Sequence, residues 1–432
     1  MLKTASTIAM LIVAIVPAWS ADATISWPFR SGPTLNGHVS TADAAGLPTE
    51  FNEASGKNVK WKIKLEEFGH STAIIGGGKV WLTAATNDGT KQYVYCLDAE
   101  TGKVLHHKLL FENAEPEPLN NTINTYASPS CALEDDAVYV HFGSYGTAKL
   151  NPETAEVIWK RRDIKCRHYR GPGSSPIIFQ DLLILTFDGV DAQFLTALNK
   201  TTGKTVWRTE RSTDYGDLDE DGKPKREGDL RKGYSTPALV KVNGRTQVVS
   251  VGSRAGFGYD ALTGKEIWGF RHDDFNAAAP PVFYKNFAIV NTGSSQANLK
   301  AIRLDETTTG DITDTHIEWD REKGNSRLAA PLLIGNRVFM ITDKGVANCV
   351  DADTSEEIWK DRVGGTHVAS PVTANGLIYF CSEEGDTTII KASDKFEIVS
   401  KNTLAEGMRA SPAVANGRLY LRTFGHLYCI GQ

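Results

Sequence analysis

Apolar residues along this chain fall in short alternating runs, each cut off by a polar turn, and the arrangement keeps returning. One copy is Leu97-Asp98-Ala99-Glu100-Thr101-Gly102-Lys103-Val104. Others are Leu150-Asn151-Pro152-Glu153-Thr154, Leu198-Asn199-Lys200-Thr201-Thr202-Gly203-Lys204-Thr205-Val206-Trp207 and Tyr259-Asp260-Ala261-Leu262-Thr263-Gly264-Lys265-Glu266-Ile267-Trp268. A further copy is Val350-Asp351-Ala352-Asp353-Thr354-Ser355-Glu356-Glu357-Ile358-Trp359. Period-two alternation argues for strands, and Asp, Asn and Gly supply the backbone that a tight turn needs. Each copy is therefore a hairpin.

A second landmark precedes the hairpins, a small residue followed by Pro and then apolar residues. It occurs at Ser128-Pro129, Ser175-Pro176, Thr236-Pro237, Ala279-Pro280, Ala330-Pro331, Ser370-Pro371 and Ser411-Pro412, and His70-Ser71-Thr72-Ala73 holds the equivalent place at the start. These mark eight units, with steps of roughly 40 to 60 residues, the spacing of propeller blades. Within a unit the first strand follows the Pro, the third carries the Leu-Asp or Val-Asp, and the fourth ends in an aromatic residue. That residue is Trp61, Trp159, Trp207, Trp268, Trp319 or Trp359, with His106 and Val399 in two units. A Trp repeated at one place reads as a packing wedge between neighbours.

The last unit ends at Leu427-Tyr428-Cys429-Ile430, its third strand, while Asn58-Val59-Lys60-Trp61-Lys62-Ile63 reads as a fourth strand with none before it. The N-terminal strand is expected to complete the last blade and seal the ring, which removes open sheet edges. Two stretches break the period. Residues 27–56 lack alternation and are expected to wrap the ring as loop; residues 212–233, rich in both charge signs, are expected to form a surface excursion.

The totals add little to this picture. The 432 residues are 41% hydrophobic with a net charge of -5, so no basic surface for nucleic acid is implied. Lys3, the apolar run from Ile8 to Val16 and the small residues Ala18, Ser20, Ala21 and Ala23 read as an export signal over residues 1–23, cleaved after Ser20, Ala21 or Ala23. The apolar run is too short to span a bilayer, and no later stretch is long enough. The mature chain, residues 24–432, is expected in the periplasm or outside the cell as a propeller without a transmembrane segment. Cys96, Cys349 and Cys429 share one strand position and Cys381 follows a strand pattern, whereas Cys131 and Cys166 lie off that position and form a candidate disulfide.

The pattern Ser-Pro, then Val-Tyr, then Leu-Asp-Ala-x-Thr-Gly-x-x-x-Trp resembles the PQQ-like propeller repeat, over about residues 61–430. The length resembles that of BamB-like proteins, scaffolds of outer-membrane β-barrel assembly, and of secreted bacterial PQQ-like proteins. The resemblance implies a closed propeller and, in its enzyme branch, PQQ with Ca²⁺. Quinoprotein dehydrogenases carry a pair of adjacent cysteines; no two of the six here are neighbours. BamB carries its lipid on a Cys directly after the signal; here the first is Cys96, so no lipid anchor is expected.

Strand order puts the links between units and the turns between second and third strands on one face. The repeated Thr-Gly turns lie on the other. The irregular face then collects His70, Tyr126, His168, Arg170, Tyr234, Asn276, Arg327, His367 and Arg409 from the links, and Asp188, Asp191 and Gln193 from a turn. The densest part is Cys166-Arg167-His168-Tyr169-Arg170-Gly171-Pro172-Gly173 with Asp188-Gly189-Val190-Asp191-Ala192-Gln193. Arg170 offers a fork of donors to an anionic or hydroxyl-rich ligand, and His168 with Asp188 or Asp191 offers acid–base chemistry. The plainer reading is structural hydrogen bonding across the channel mouth. Asp217, Asp219 and Asp221 form a DxDxDG run suited to Ca²⁺, but the position for a bidentate Glu holds Gly228.

The sequence thus leads to an all-β, eight-bladed propeller of four-stranded antiparallel blades. Its function is expected to be that of an exported, non-enzymatic scaffold that holds a protein partner or a small polar ligand on the irregular face. The competing reading is a PQQ-dependent oxidoreductase or another enzyme with its site at the channel mouth.

Overall fold

A computed structural model describes residues 25–119 and 123–432; the export signal expected over residues 1–23 lies outside the described residues. Eight antiparallel sheets form the blades of a closed ring. From the axis outward, blade 1 is Ile74–Gly76, Lys79–Ala85, Lys91–Asp98 and Val104–Glu112. Inner strands of only three residues recur in most blades, since eight sheets converge on one axis.

Closure occurs as the sequence indicates. Blade 8 is Ala413–Ala415, Arg418–Arg422 and His426–Ile430, and Val59–Lys64 is its outer strand, with Trp61 opposite Cys429 and Lys62 opposite Tyr428. A ring closed between the two ends of the chain leaves no blade one strand short.

Several outer-strand aromatics fix one blade to the next by a hydrogen bond, whereas Trp268 donates to Gln247 of its own blade. The indole N–H of Trp159 donates to Lys200 O at 2.9 Å, that of Trp319 to Ala352 O at 3.1 Å, and that of Trp359 to Ser393 O at 2.9 Å. His106, which replaces Trp in blade 1, reaches Glu153 O at 3.0 Å in the same way. The Thr-Gly turn is the surface on which the ring lies: a Cβ on Gly203 would sit 2.8 Å from Trp159, and Gly203 has φ +69. Both facts require glycine there. In blade 7 the register places Ser400, not Val399, at the wedge position; its Oγ donates to Thr49 O at 2.5 Å, and Val399 is exposed.

Residues 27–56 do not simply wrap the ring. Ile25–Trp27 is a strand that pairs with Ile74–Gly76, on the edge of blade 1 that faces the axis. The chain then threads the central tunnel: Pro28 O accepts from Leu133 N in blade 2, and Arg30 Nη2 donates to Ser370 Oγ where blade 7 begins. Trp27 and Phe29 are buried, and Gly32 and Gly37 turn the chain back toward blade 7, where Val39 N donates to Thr373 O. Only then does it run outward, through the one-turn helix Thr41–Ala44, to Val59–Lys64. The tunnel is plugged by the protein's own N-terminal segment.

Two additions complete the ring. Gly310–Asp311, in the long link inside blade 5, pairs in parallel with Glu266–Arg271 as a fifth strand on blade 4. The excursion at residues 212–233 lies on the irregular face. There Ser253 Oγ donates to Leu230 O, Gly233 N donates to Asp188 O, and Arg231 is paired with Asp217. No helix among the described residues is long and apolar enough to cross a membrane.

Candidate functional site

The links between blades and the turns between second and third strands do share one face, and they bond to one another there. Phe68 N and Ala85 O, Val190 N and Arg167 O, and Phe424 N and Gly407 O are examples, at 3.0, 2.8 and 3.0 Å. At the centre of this face the links surround a cavity of about 190 Å³. His70, Arg170, Tyr234, Asn276 and Arg409, five of the expected residues, line it. Arg30, which the sequence did not single out, lines it too, from the tunnel plug.

The cavity is cationic. Arg409 holds Glu383 through Nε and Nη2 at 3.0 and 3.1 Å, and Arg170 Nη2 is 3.5 Å from Asp229. Burial, with Arg409 and Arg422 nearby, pushes His70 down to about 3, so its imidazole is neutral. Arg30 is brought down to about 10 by burial and remains charged at neutral pH. No carboxylate is among the lining residues. Ca²⁺ takes six to eight oxygen ligands, carboxylates foremost, so this donor set does not suit a Ca²⁺-bound quinone.

The densest stretch of the sequence does not assemble into an acid–base site. His168 is buried, its Nε2 accepts from Ser144 N at 3.0 Å, and its Nδ1 is 3.6 Å from Cys166 Sγ. Burial lowers His168 to about 4 and raises the Cys166 thiol well above its usual value, so the pair is neutral. A thiol is nucleophilic only as thiolate. Asp188 is fully buried and receives Nε and Nη2 of Arg211 at 2.6 and 2.7 Å. Asp191 Oδ1 accepts from Arg167 N at 2.6 Å, and Gln193 Nε2 donates to Gly189 O at 2.7 Å. Each group is occupied in holding its own link.

Tyr126 is buried with its hydroxyl donating to Glu117 O at 2.8 Å. His367 is buried between Cys381 O and Gly364 O, at 3.0 and 2.8 Å. Arg327 projects from the rim, 4.0 Å from Asp343.

Cys131 and Cys166 are not bonded to each other, which corrects the disulfide expectation, and the side chains of Asp217 and Asp219 in the DxDxDG run bond within their own loop. All six cysteines are free and buried; Cys131 packs in the core shared by blades 8, 1 and 2, and Cys166 in a separate cluster with Phe187 and Phe194. Asp217 is turned onto Arg231, while Asp219 Oδ1 accepts from Asp221 N and Lys223 N. Among the described residues the carboxylate and imidazole atoms that converge are those of Glu66, Glu67 and His107, not those of the DxDxDG run.

The sequence profile of the family described as outer membrane protein assembly factor BamB matches residues 17–164 and 191–430. The chain belongs to the BamB family. Within it, the outer membrane protein assembly factor BamB of Marinobacter adhaerens is 27% identical over 103 residues, which is 24% of this chain and 26% of that one. The chain thus aligns with about a quarter of that relative's length. The crystal structure of BamB from Moraxella catarrhalis superposes with a TM-score of 0.57 at 13% identity, over 87% of this chain and 99% of that one. A europium-containing methanol dehydrogenase superposes at 0.65 and 10% identity, over 95% and 99%. At such identities the likeness is one of fold, and a scaffold and an enzyme share it equally.

Proposed function

We propose that this BamB-family chain is an exported, non-enzymatic scaffold that acts outside the cytoplasm and holds a partner protein on its irregular face. The observation that carries the reading is the match of the family profile to both halves of the ring. The relative named above is an outer membrane protein assembly factor, and a component of outer-membrane assembly is the partner this reading assigns. The chemistry of the face supports it: His168, Cys166 and Asp188 are consumed in structural bonds, whereas Arg327, Arg167 and Asp191 project as mixed charges on the rim. Loops on a rigid ring suit recognition of a second protein.

The test is photo-crosslinking in the native host, with a photoreactive residue at Arg327, at Arg167 or at Thr101 on the opposite face. Adducts with an outer-membrane assembly protein from Arg327 and Arg167, and none from Thr101, are expected. Adducts from Thr101 alone, or none from either face, would overturn the reading.

A further inference from the structure

We infer that the axial pocket binds a small organic oxyanion, a carboxylate on an apolar body, with Arg30 as its charged floor. The N-terminal plug carries this guanidinium into the tunnel and anchors Nη2 on Ser370 Oγ at 3.3 Å. Nη1 is buried and has no hydrogen-bond partner among the described residues. No carboxylate there forms an ion pair with Arg30, in contrast to Arg409, which has Glu383. A desolvated cation without a counter-ion is unfavourable, and Arg30 is one of the residues that line the cavity.

A second group supports this. The Tyr234 hydroxyl, on the wall of the same cavity, is buried and without a partner. A phenol O–H on a wall that also carries Arg30 and Arg170 is a further donor for a carboxylate, and charge-assisted bonds are the strong ones. Ile123, Leu328 and Val368 form the rest of the wall used here. They offer no hydrogen bonds, and they suit an anion with a carbon body rather than a fully hydrated inorganic ion. The fold explains why the site is at the axis: the plug closes the tunnel from below, and every blade contributes a link to the rim.

This site is independent of the partner-protein reading, since a ligand on the axis neither requires nor prevents a protein on the surrounding loops. Calorimetric titration of the mature protein with benzoate, its neutral isostere benzamide and inorganic phosphate tests it. Saturable benzoate heat, with benzamide and phosphate at least about tenfold weaker, is expected. Arg30→Gln is expected to weaken benzoate by about tenfold or more, and Tyr234→Phe, which leaves the plug intact, by several-fold. The inference is overturned by no benzoate binding up to roughly 10 mM, by equal binding of benzamide, or by equal binding of phosphate. If Arg30→Gln does not fold, unchanged affinity in Tyr234→Phe together with equal binding of benzamide overturns it.

Discussion

The indole N–H of Trp61 donates to the carbonyl of Ala99 at 3.2 Å, and this bond crosses the seam between blade 1 and blade 8, whose outer strand is the one that closes the ring. Trp61 is the outer strand of blade 8, and Ala99 begins the Thr-Gly turn of blade 1. A Cβ on Gly102 would lie 2.7 Å from the Trp61 ring, so the turn is shaped to receive it. Trp61→Ala removes a buried aromatic and leaves a cavity where the strand that closes blade 8 packs on blade 1. A loss of about 3–5 kcal/mol is expected, read as a lower urea midpoint. A loss under about 1 kcal/mol would mean that the seam is not held there.

The Arg211–Asp188 pair ties the end of the outer strand of blade 3 to its second strand and is dry, with side-chain exposures of 0% and 1%. Arg211 Nη2 also donates to Ser250 Oγ at 2.8 Å. Removing one partner strands a buried charge, so Arg211→Met is expected to cost about 3–5 kcal/mol. The double variant Arg211→Met, Asp188→Leu is expected to recover most of that. Denaturant titration of the parent, Arg211→Met, Asp188→Leu and the double variant separates the pair from its surroundings, and additivity of the two single losses would contradict the pairing.

Acid should destabilise the fold through histidines buried as neutral rings. Burial is the chief cause that lowers His141 to about 3 and His168 to about 4. The unfolded chain takes up these protons near pH 6.5, so below that pH it binds more protons than the native state and stability rises with pH. The contribution is constant above about 6.5 and is lost as pH falls toward 4, by about 1.4 kcal/mol per pH unit for each ring. In Tm measured from pH 7 to 4, His168→Gln should show a shallower slope than the parent. An identical slope would show that His168 is already protonated in the native state.

The thiols should be silent in the folded protein. Burial raises Cys96, Cys131, Cys349 and Cys381 to about 12 and Cys429 to about 11. Iodoacetamide at pH 8 is expected to label none of the six without denaturant and all six in it, with no prior reduction. A pair that labels only after reduction would restore the Cys131–Cys166 disulfide.

How much of this was legible follows from where each signal resides. The blades, the wedge positions and the closing strand at Trp61 are written in period-two alternation and in turn residues, which act locally and recur. The irregular face also followed, since strand order alone sets which connections share a side. Arg30 did not follow. Ile25–Trp27 is three residues long and has no alternation to detect; it is a strand because an inner edge of blade 1 receives it. The bracketing aromatics Trp27 and Phe29 were the available signal, because residues of that size in a supposed surface loop require burial. His168, Asp188 and Cys166 misled for another reason. The same residue types serve catalysis or internal hydrogen bonding, and only burial and partners decide between them.

The plug is the central claim, because it closes the tunnel, floors the pocket and brings Arg30 to it. Hydrogen exchange followed by mass spectrometry on the mature protein tests it most directly. Peptides over residues 25–37 and over Val59–Lys64 should be protected to a degree comparable with the inner strand Ile74–Gly76. If residues 25–37 exchange within seconds, as an exposed loop would, while Val59–Lys64 stays protected, the ring closes but the tunnel is open and the pocket has no floor.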